Sequence, residues 1–231
     1  MPGVLVTGTG TEVGKTVVAA AIARSLAASG KVVAVFKPAI SGLDEGGEPD
    51  HHLLRRAAGS EQSDEEIAPY RYGPPVSPHL AAQLAGEPIE PGVLVAAARA
   101  AARGADLLVC EGVGGLLVPL TPEYLVRDLA VELGLPLVLA ATPALGTINH
   151  TLLTLEAARS AGLGVAAVVL TPWPVEPGRV EESNREAIEA LGAVPVATLP
   201  LLDLGQPGEW PDLAALVSSR SARPPGSAQG E

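Results

Sequence analysis

Cysteine occurs once in the 231 residues, at Cys110, so no disulfide can close within the chain and no cysteine metal cluster can be built. Aromatic residues make up only 3% of a sequence that is 47% hydrophobic, so its core must be assembled from Ala, Val and Leu. Lysine is equally scarce, confined to Lys15, Lys31 and Lys37, while arginine carries the remaining positive charge. No basic block offsets the net charge of −11, which argues against a nucleic-acid-binding surface. Apolar runs such as Leu133 to Leu145 are broken by proline before they could span a bilayer. The N-terminus carries neither the basic segment nor the apolar run of a secretion signal. These absences lead us to expect a cytoplasmic chain that engages neither membrane nor nucleic acid.

What is present is organised around one stretch. The apolar run Val4-Leu5-Val6 leads into Gly8-Thr9-Gly10-Thr11-Glu12-Val13-Gly14-Lys15-Thr16, and a helix-like apolar run starts at Val17. Strand, glycine-rich turn and helix opening on Gly-Lys-Thr is the layout of a phosphate-binding loop, in which backbone N–H groups and a helix N-terminus converge on a polyphosphate. Five residues rather than four separate Gly8 from Gly14. Lys15 would add charge near the terminal phosphates and Thr16 would face a bound magnesium ion. A glycine-rich turn alone would carry little weight. Here strand, Gly-Lys-Thr and helix occur in the required order, and an arginine-preferring chain places lysine at the loop.

The expected fold is therefore α/β, a mostly parallel sheet with helices on both faces of the P-loop nucleotide hydrolase type, as a single domain over 1–217. Val32 to Phe36 reads as a buried parallel strand ending at Lys37, at the sheet edge where open α/β folds bind ligands. A loop with Ser41 follows, then a helix from His51 to Ala58 that Asp50 could cap, or in which Asp50 could bind magnesium. The Pro- and Glu-rich segment 60–91, with a helical piece from His79 to Ala85, reads as a lid or dimer-side insertion. His51, His52 and His79 lack ligand spacing and are expected at the surface or in packing. After a helix from Gly92 to Arg103, the strand Asp106 to Glu111 ends in a carboxylate followed by Gly112-Val113-Gly114-Gly115, the expected magnesium- or water-holding acid. Further helices and strands alternate: Glu123 to Leu133, Leu135 to Ala141, Gly146 to Ser160, Val165 to Leu170, Glu181 to Leu191, Val194 to Leu199 and Pro211 to Val217. Residues 218–231 read as a polar, disordered tail.

Together these pieces resemble dethiobiotin synthetase. The similarity, from Val4 to about Leu202, rests on the five-residue phosphate loop, Phe36-Lys37-Pro38 with Ser41-Gly42, Pro49-Asp50, Ser77-Pro78-His79, Glu111-Gly112-Val113-Gly114-Gly115 and Leu145-Gly146-Thr147-Ile148-Asn149-His150. It implies a ligase that turns 7,8-diaminopelargonate, CO2 and ATP into dethiobiotin, ADP and phosphate through a carbamic-phosphoric anhydride. It also implies roles. Lys37, Lys15 and Thr11 would be catalytic, and Thr16, Asp50 and Glu111 would hold Mg2+. The nucleotide would lie against Glu12, Val13, Gly14, Lys15, Thr16, Val17, Asp50, Glu111, Gly112, Val113, Gly114, Thr171, Pro172, Pro200, Leu201 and Leu202. Ser41 would touch the diamine, and Gly146, Thr147, Ile148 and Asn149 would receive its carboxylate from the other subunit of a homodimer.

Two positions depart from the family's pattern. Gly10 stands where Asp is common, and Thr171 stands where an Asn reads the purine, so a looser base preference is expected. A partitioning-type ATPase switch of the same fold is the competing identity. It would need a lysine where this chain has Gly10. An amidotransferase-type ligase would need a glutaminase domain and its cysteine, for which this chain has no room.

Overall fold

The computed structural model describes residues 1–218; the predicted tail from 219 onward lies outside them. In chain order the elements are β1 (Gly3–Gly8), α1 (Lys15–Ala28), β2 (Val33–Phe36), β3 (Ala39–Ile40), α2 (Asp50–Ala58), α3 (Asp64–Ile67), β4 (Tyr70–Arg71), α4 (Pro78–Ala85) and α5 (Pro91–Ala101). There follow β5 (Leu107–Gly115), β6 (Pro119–Thr121), β7 (Tyr124–Leu125), α6 (Val126–Leu133), β8 (Leu137–Ala141), α7 (Thr147–Ser160), β9 (Val165–Trp173), α8 (Arg179–Gly192), β10 (Val196–Pro200) and α9 (Ala215–Ser218).

Six strands form one parallel sheet in the order β10-β9-β8-β1-β5-β2. The continuous apolar runs of the sequence have a direct cause: both faces of this sheet are covered. Val4 and Val6 turn to the side of α1 and α2, where Ile22 and Leu54 are fully buried, while Leu5 turns to the opposite side, with Leu94 and Leu129. Val33 and Val35 against Ala34 and Phe36 repeat the alternation on β2. A strand buried on both faces has no polar side to show.

The structure corrects several sequence expectations. β5 does not stop at Glu111 but runs on through the glycines to Gly115, which pairs with Gly8. The helix expected from Glu123 begins at Val126, because 119–125 fold back as the antiparallel hairpin β6–β7. Among the described residues the last helix is Ala215–Ser218, so it starts at Ala215 rather than at Pro211. Segment 60–91 is not a detached lid, since Ile67, Tyr72, Ala81 and Ile89 are in the core. It also closes the edge of the sheet. Val35 of β2 donates its N–H to Gln62 Oε1 at 2.9 Å and accepts from Gln62 Nε2 at 3.1 Å, so one amide side chain does the work of a neighbouring strand. Two residues on, the amide of Lys37 donates to Ile67 O at 2.8 Å, and β3 pairs with β4. The segment thereby fixes the backbone that carries Lys37.

Candidate active site

The phosphate-binding loop spans the turn from β1 to α1. Gly14 caps α1 in the left-handed region, with φ 86°, and a Cβ there would lie 2.6 Å from the Thr171 methyl carbon, so both conformation and space demand glycine. Glu12 also has a positive φ, 59°, rare for a residue with a side chain and a form of strain that concentrates at ligand loops. Left-handed residues interspersed in such a turn aim successive N–H groups into one concavity. Lys15, 7% exposed, bends back to donate to Gly10 O at 2.8 Å.

Three chain segments distant in sequence meet in front of this loop. Lys37 Nζ, at the end of β2, lies 2.7 Å from Glu111 Oε1 on β5 and 2.6 Å from Asp50 Oδ2 at the start of α2. Thr16 donates its hydroxyl to the same Glu111 oxygen at 2.8 Å. Glu111 is fully buried, and its second oxygen, Oε2, has no hydrogen-bond partner among the described residues. A buried carboxylate oxygen without a donor, beside a threonine hydroxyl and a second carboxylate, is a hard all-oxygen donor set of the kind magnesium takes. The residues present fit that ion.

Electrostatics follow from burial and pairing. Burial would lower the Lys37 ammonium, but the Glu111 and Asp50 carboxylates outweigh it and hold Lys37 above its ordinary value. For Lys15 burial dominates over the pull of Glu111, and the pKa is lowered. Burial raises Glu111 beyond what Lys37 restores, while Asp50, for all its burial, is held low by the Lys37 ion pair. Cys110, next to Glu111, is fully buried, and burial pushes its thiol up, leaving it inert.

A cleft of about 470 Å3 opens over these groups. Of the residues picked out in the sequence, Thr11, Glu12, Gly14, Lys15, Thr16, Val17, Lys37, Ser41, Asp50, Glu111, Val113 and Gly114 line it. Val13 and Gly112 do not: the Val13 side chain packs under the loop against Gly8, and Gly112 is closed off by Val126. Thr171 is buried against Gly14, and Pro172, Pro200, Leu201 and Leu202 lie at the carboxyl ends of β9 and β10, beyond the cleft walls. Gly146, Thr147, Ile148 and Asn149 open α7, away from this cleft, where Gly146 is the left-handed cap and Thr147 is buried. A second cleft, between the phosphate loop and α7, is lined by Gly10, Thr11, Leu117 and Leu153 among others. Sequence reasoning missed Glu45, which reaches the first cleft from the short 3-10 turn Leu43–Glu45. Its stretch is glycine-rich and aperiodic, and no signal marked it.

Comparison with known proteins agrees with this architecture. The family described as AAA domain matches residues 2–206. An ATP-dependent dethiobiotin synthetase of Anaeromyxobacter dehalogenans is 43% identical over 201 residues, covering 87% of this chain and 90% of its own. The like-named protein of Rhodococcus erythropolis is 43% identical over 197 residues, covering 84% and 86%, and that of Bacillus subtilis is 36% identical, covering 85% of both chains. Among solved structures, chloroplast FtsY from Physcomitrella patens superimposes with a TM-score of 0.51 at 18% identity over 88% of this chain and 60% of its own, a likeness of P-loop fold alone. No helix among the described residues is long and apolar enough to cross a membrane. With the loop, the buried ammonium between two carboxylates and these relatives in hand, the chain belongs to the ATP-dependent dethiobiotin synthetase family, a family of cyclo-ligases.

Proposed function

We propose that this chain closes the ureido ring of dethiobiotin from 7,8-diaminopelargonate and CO2, converting ATP to ADP and phosphate. One amine takes up CO2 as a carbamate, and ATP phosphorylates that carbamate to a carbamic-phosphoric anhydride. The second amine then attacks the carbonyl carbon and phosphate leaves. The observation that carries this reading is Lys37: a buried ammonium, tethered to Asp50 and Glu111 and facing the same cleft as Lys15. Capture of a nucleotide alone has no use for a second buried ammonium. Joining two anions, a carbamate and a γ-phosphate, does.

The chain's residues divide the work. Loop amides and Lys15 hold the β- and γ-phosphates, with the Lys15 ammonium released from Gly10 O to reach them. Lys37 neutralises charge on the carbamate and the transferring phosphoryl group, and Thr11 and Ser41, which line the same cleft, orient the diamine. Thr16, Asp50 and Glu111 would hold magnesium, which when bound supplies positive charge at the phosphate oxygens. Leu117 and Leu153, which line the second cleft, are exposed at 52% and 57%, and Leu145, just before α7, at 92%. An apolar face there supports a homodimer in which the amides of Gly146 to Asn149 receive the substrate carboxylate across the interface. The partitioning-type switch is disfavoured by Gly10, which offers Lys15 a carbonyl where that class has a lysine.

The direct test is phosphate release from ATP with and without 7,8-diaminopelargonate and bicarbonate. Release is expected to depend on both, with dethiobiotin formed one for one, and release indifferent to the diamine refutes the synthetase. A second expectation concerns the base. Thr171 presents a single hydroxyl and is only 3% exposed, so it cannot give adenine a paired donor and acceptor. Turnover with CTP, GTP and UTP should therefore stay within about tenfold of that with ATP, one lost contact of about 1.4 kcal/mol. Strict ATP dependence would place the reading of the base elsewhere.

A further inference from the structure

On the first turn of α2, directly after Asp50, two adjacent histidines converge on one carboxylate. His52 Nε2 lies 3.2 Å and His51 Nε2 3.5 Å from Asp64 Oδ2, and the three ligand atoms all fall within 4.8 Å of one another. His51 is only 3% exposed, and neither of its ring nitrogens has a hydrogen-bond partner among the described residues. The contact of 3.5 Å is too long for a good hydrogen bond. A buried imidazole nitrogen aimed at a carboxylate without bonding to it is an expensive arrangement unless something lies between them.

We propose that His51, His52 and Asp64 form a site for a borderline transition-metal ion such as Zn2+, separate from the magnesium-type oxygens of the cleft. Ligands on a tetrahedral ion with bonds of about 2.0–2.1 Å stand roughly 3.3–3.4 Å apart. The two distances to Asp64 Oδ2, 3.2 and 3.5 Å, bracket that edge. Nitrogen donors favour zinc, cobalt or nickel over magnesium, and three protein ligands leave a position for water. Asp64 is held for the task. Arg55 donates to its other oxygen, Oδ1, at 2.7 Å, and the Ser63–Glu66 capping box fixes the start of α3 on which it sits. An ion here would pin the first turn of α2, the turn that carries Asp50, to α3.

The test uses the full, tag-free chain stripped of metal and held in saturating Mg2+, titrated with Co2+ and followed by the visible bands of the cobalt. One equivalent of Co2+ is expected to bind, to be displaced by Zn2+, and to raise the melting temperature. His52→Ala and Asp64→Asn, both at positions about one-third exposed, should weaken that binding by more than about tenfold, since even an outer-shell partner's loss costs that much and these are direct ligands. Glu111→Gln should leave it unchanged. Absence of binding, loss of binding in Mg2+ or in Glu111→Gln, or equal affinity in His52→Ala would show an ion-pair cluster only and overturn the site.

Discussion

Lys37→Ala is expected to all but abolish turnover, by about a hundred- to a thousandfold, while nucleotide affinity stays within several-fold. The size follows from removing the ammonium aimed at charge that develops only as the phosphoryl group transfers, a loss of the order seen for a deleted oxyanion donor, about 10²–10³. Affinity should survive because, in the proposed function, the phosphates are held by the loop amides and by Lys15, which lines the cleft independently of Lys37. The same substitution has a stability signature. It leaves the fully buried Glu111 with only the Thr16 hydroxyl, and breaking a buried pair from one side costs roughly 3–5 kcal/mol while the survivor stays ionised. Glu111 escapes by keeping a proton. Its pKa, already raised by burial, rises further, so the folded state holds a proton that the unfolded chain gives up above the ordinary value of 4.5. The deficit is therefore small in acid and grows as pH rises. Steady-state kinetics, nucleotide titration and melting at several pH values check all three parts. Preserved turnover would remove Lys37 from the chemistry.

Glu111→Gln should separate stability from activity. Glutamine keeps the oxygen that accepts from Thr16 and Lys37, and Lys37 remains neutralised by Asp50 at 2.6 Å. No buried charge is orphaned. Removing the most deeply buried carboxylate should thus leave the melting temperature unchanged or higher, because a buried ion pair is often no better than its neutral replacement. Activity should fall by about a hundredfold, as expected for a weakened metal site, and excess Mg2+ should restore part of it. Such a trade is common where function depends on a strained or poorly satisfied group. A large drop in stability with activity intact would reverse the assignment of Glu111 from metal holder to structural anchor.

The parts of the site legible in the sequence were those with a local cause. The phosphate loop can be read because strand, turn and helix are neighbours along the chain, and Gly14 must be glycine for its own backbone. Lys37 and Glu111 are visible as charges ending apolar runs. Glu45 was not, since nothing periodic surrounds it. The histidines illustrate the opposite limit. His51 and His52 have no ligand spacing, and their third partner is twelve residues away from His52 on another helix. Segment 60–91 looked like an insertion because its prolines and glutamates hide the spaced apolar residues that reach the core.

By itself the sequence determined a parallel α/β domain with a phosphate loop, and the family to which the chain belongs, because doubly buried strands and a turn that cradles anions both leave contiguous marks. Only the tertiary structure decided that one ammonium sits between two carboxylates, that Gln62 and Ile67 hold the strand end bearing it, and that two histidines face a shared aspartate. Those arrangements depend on strands 74 residues apart lying side by side and on separate helices meeting, and sheet order and helix packing bring together groups whose spacing along the chain carries no record of it.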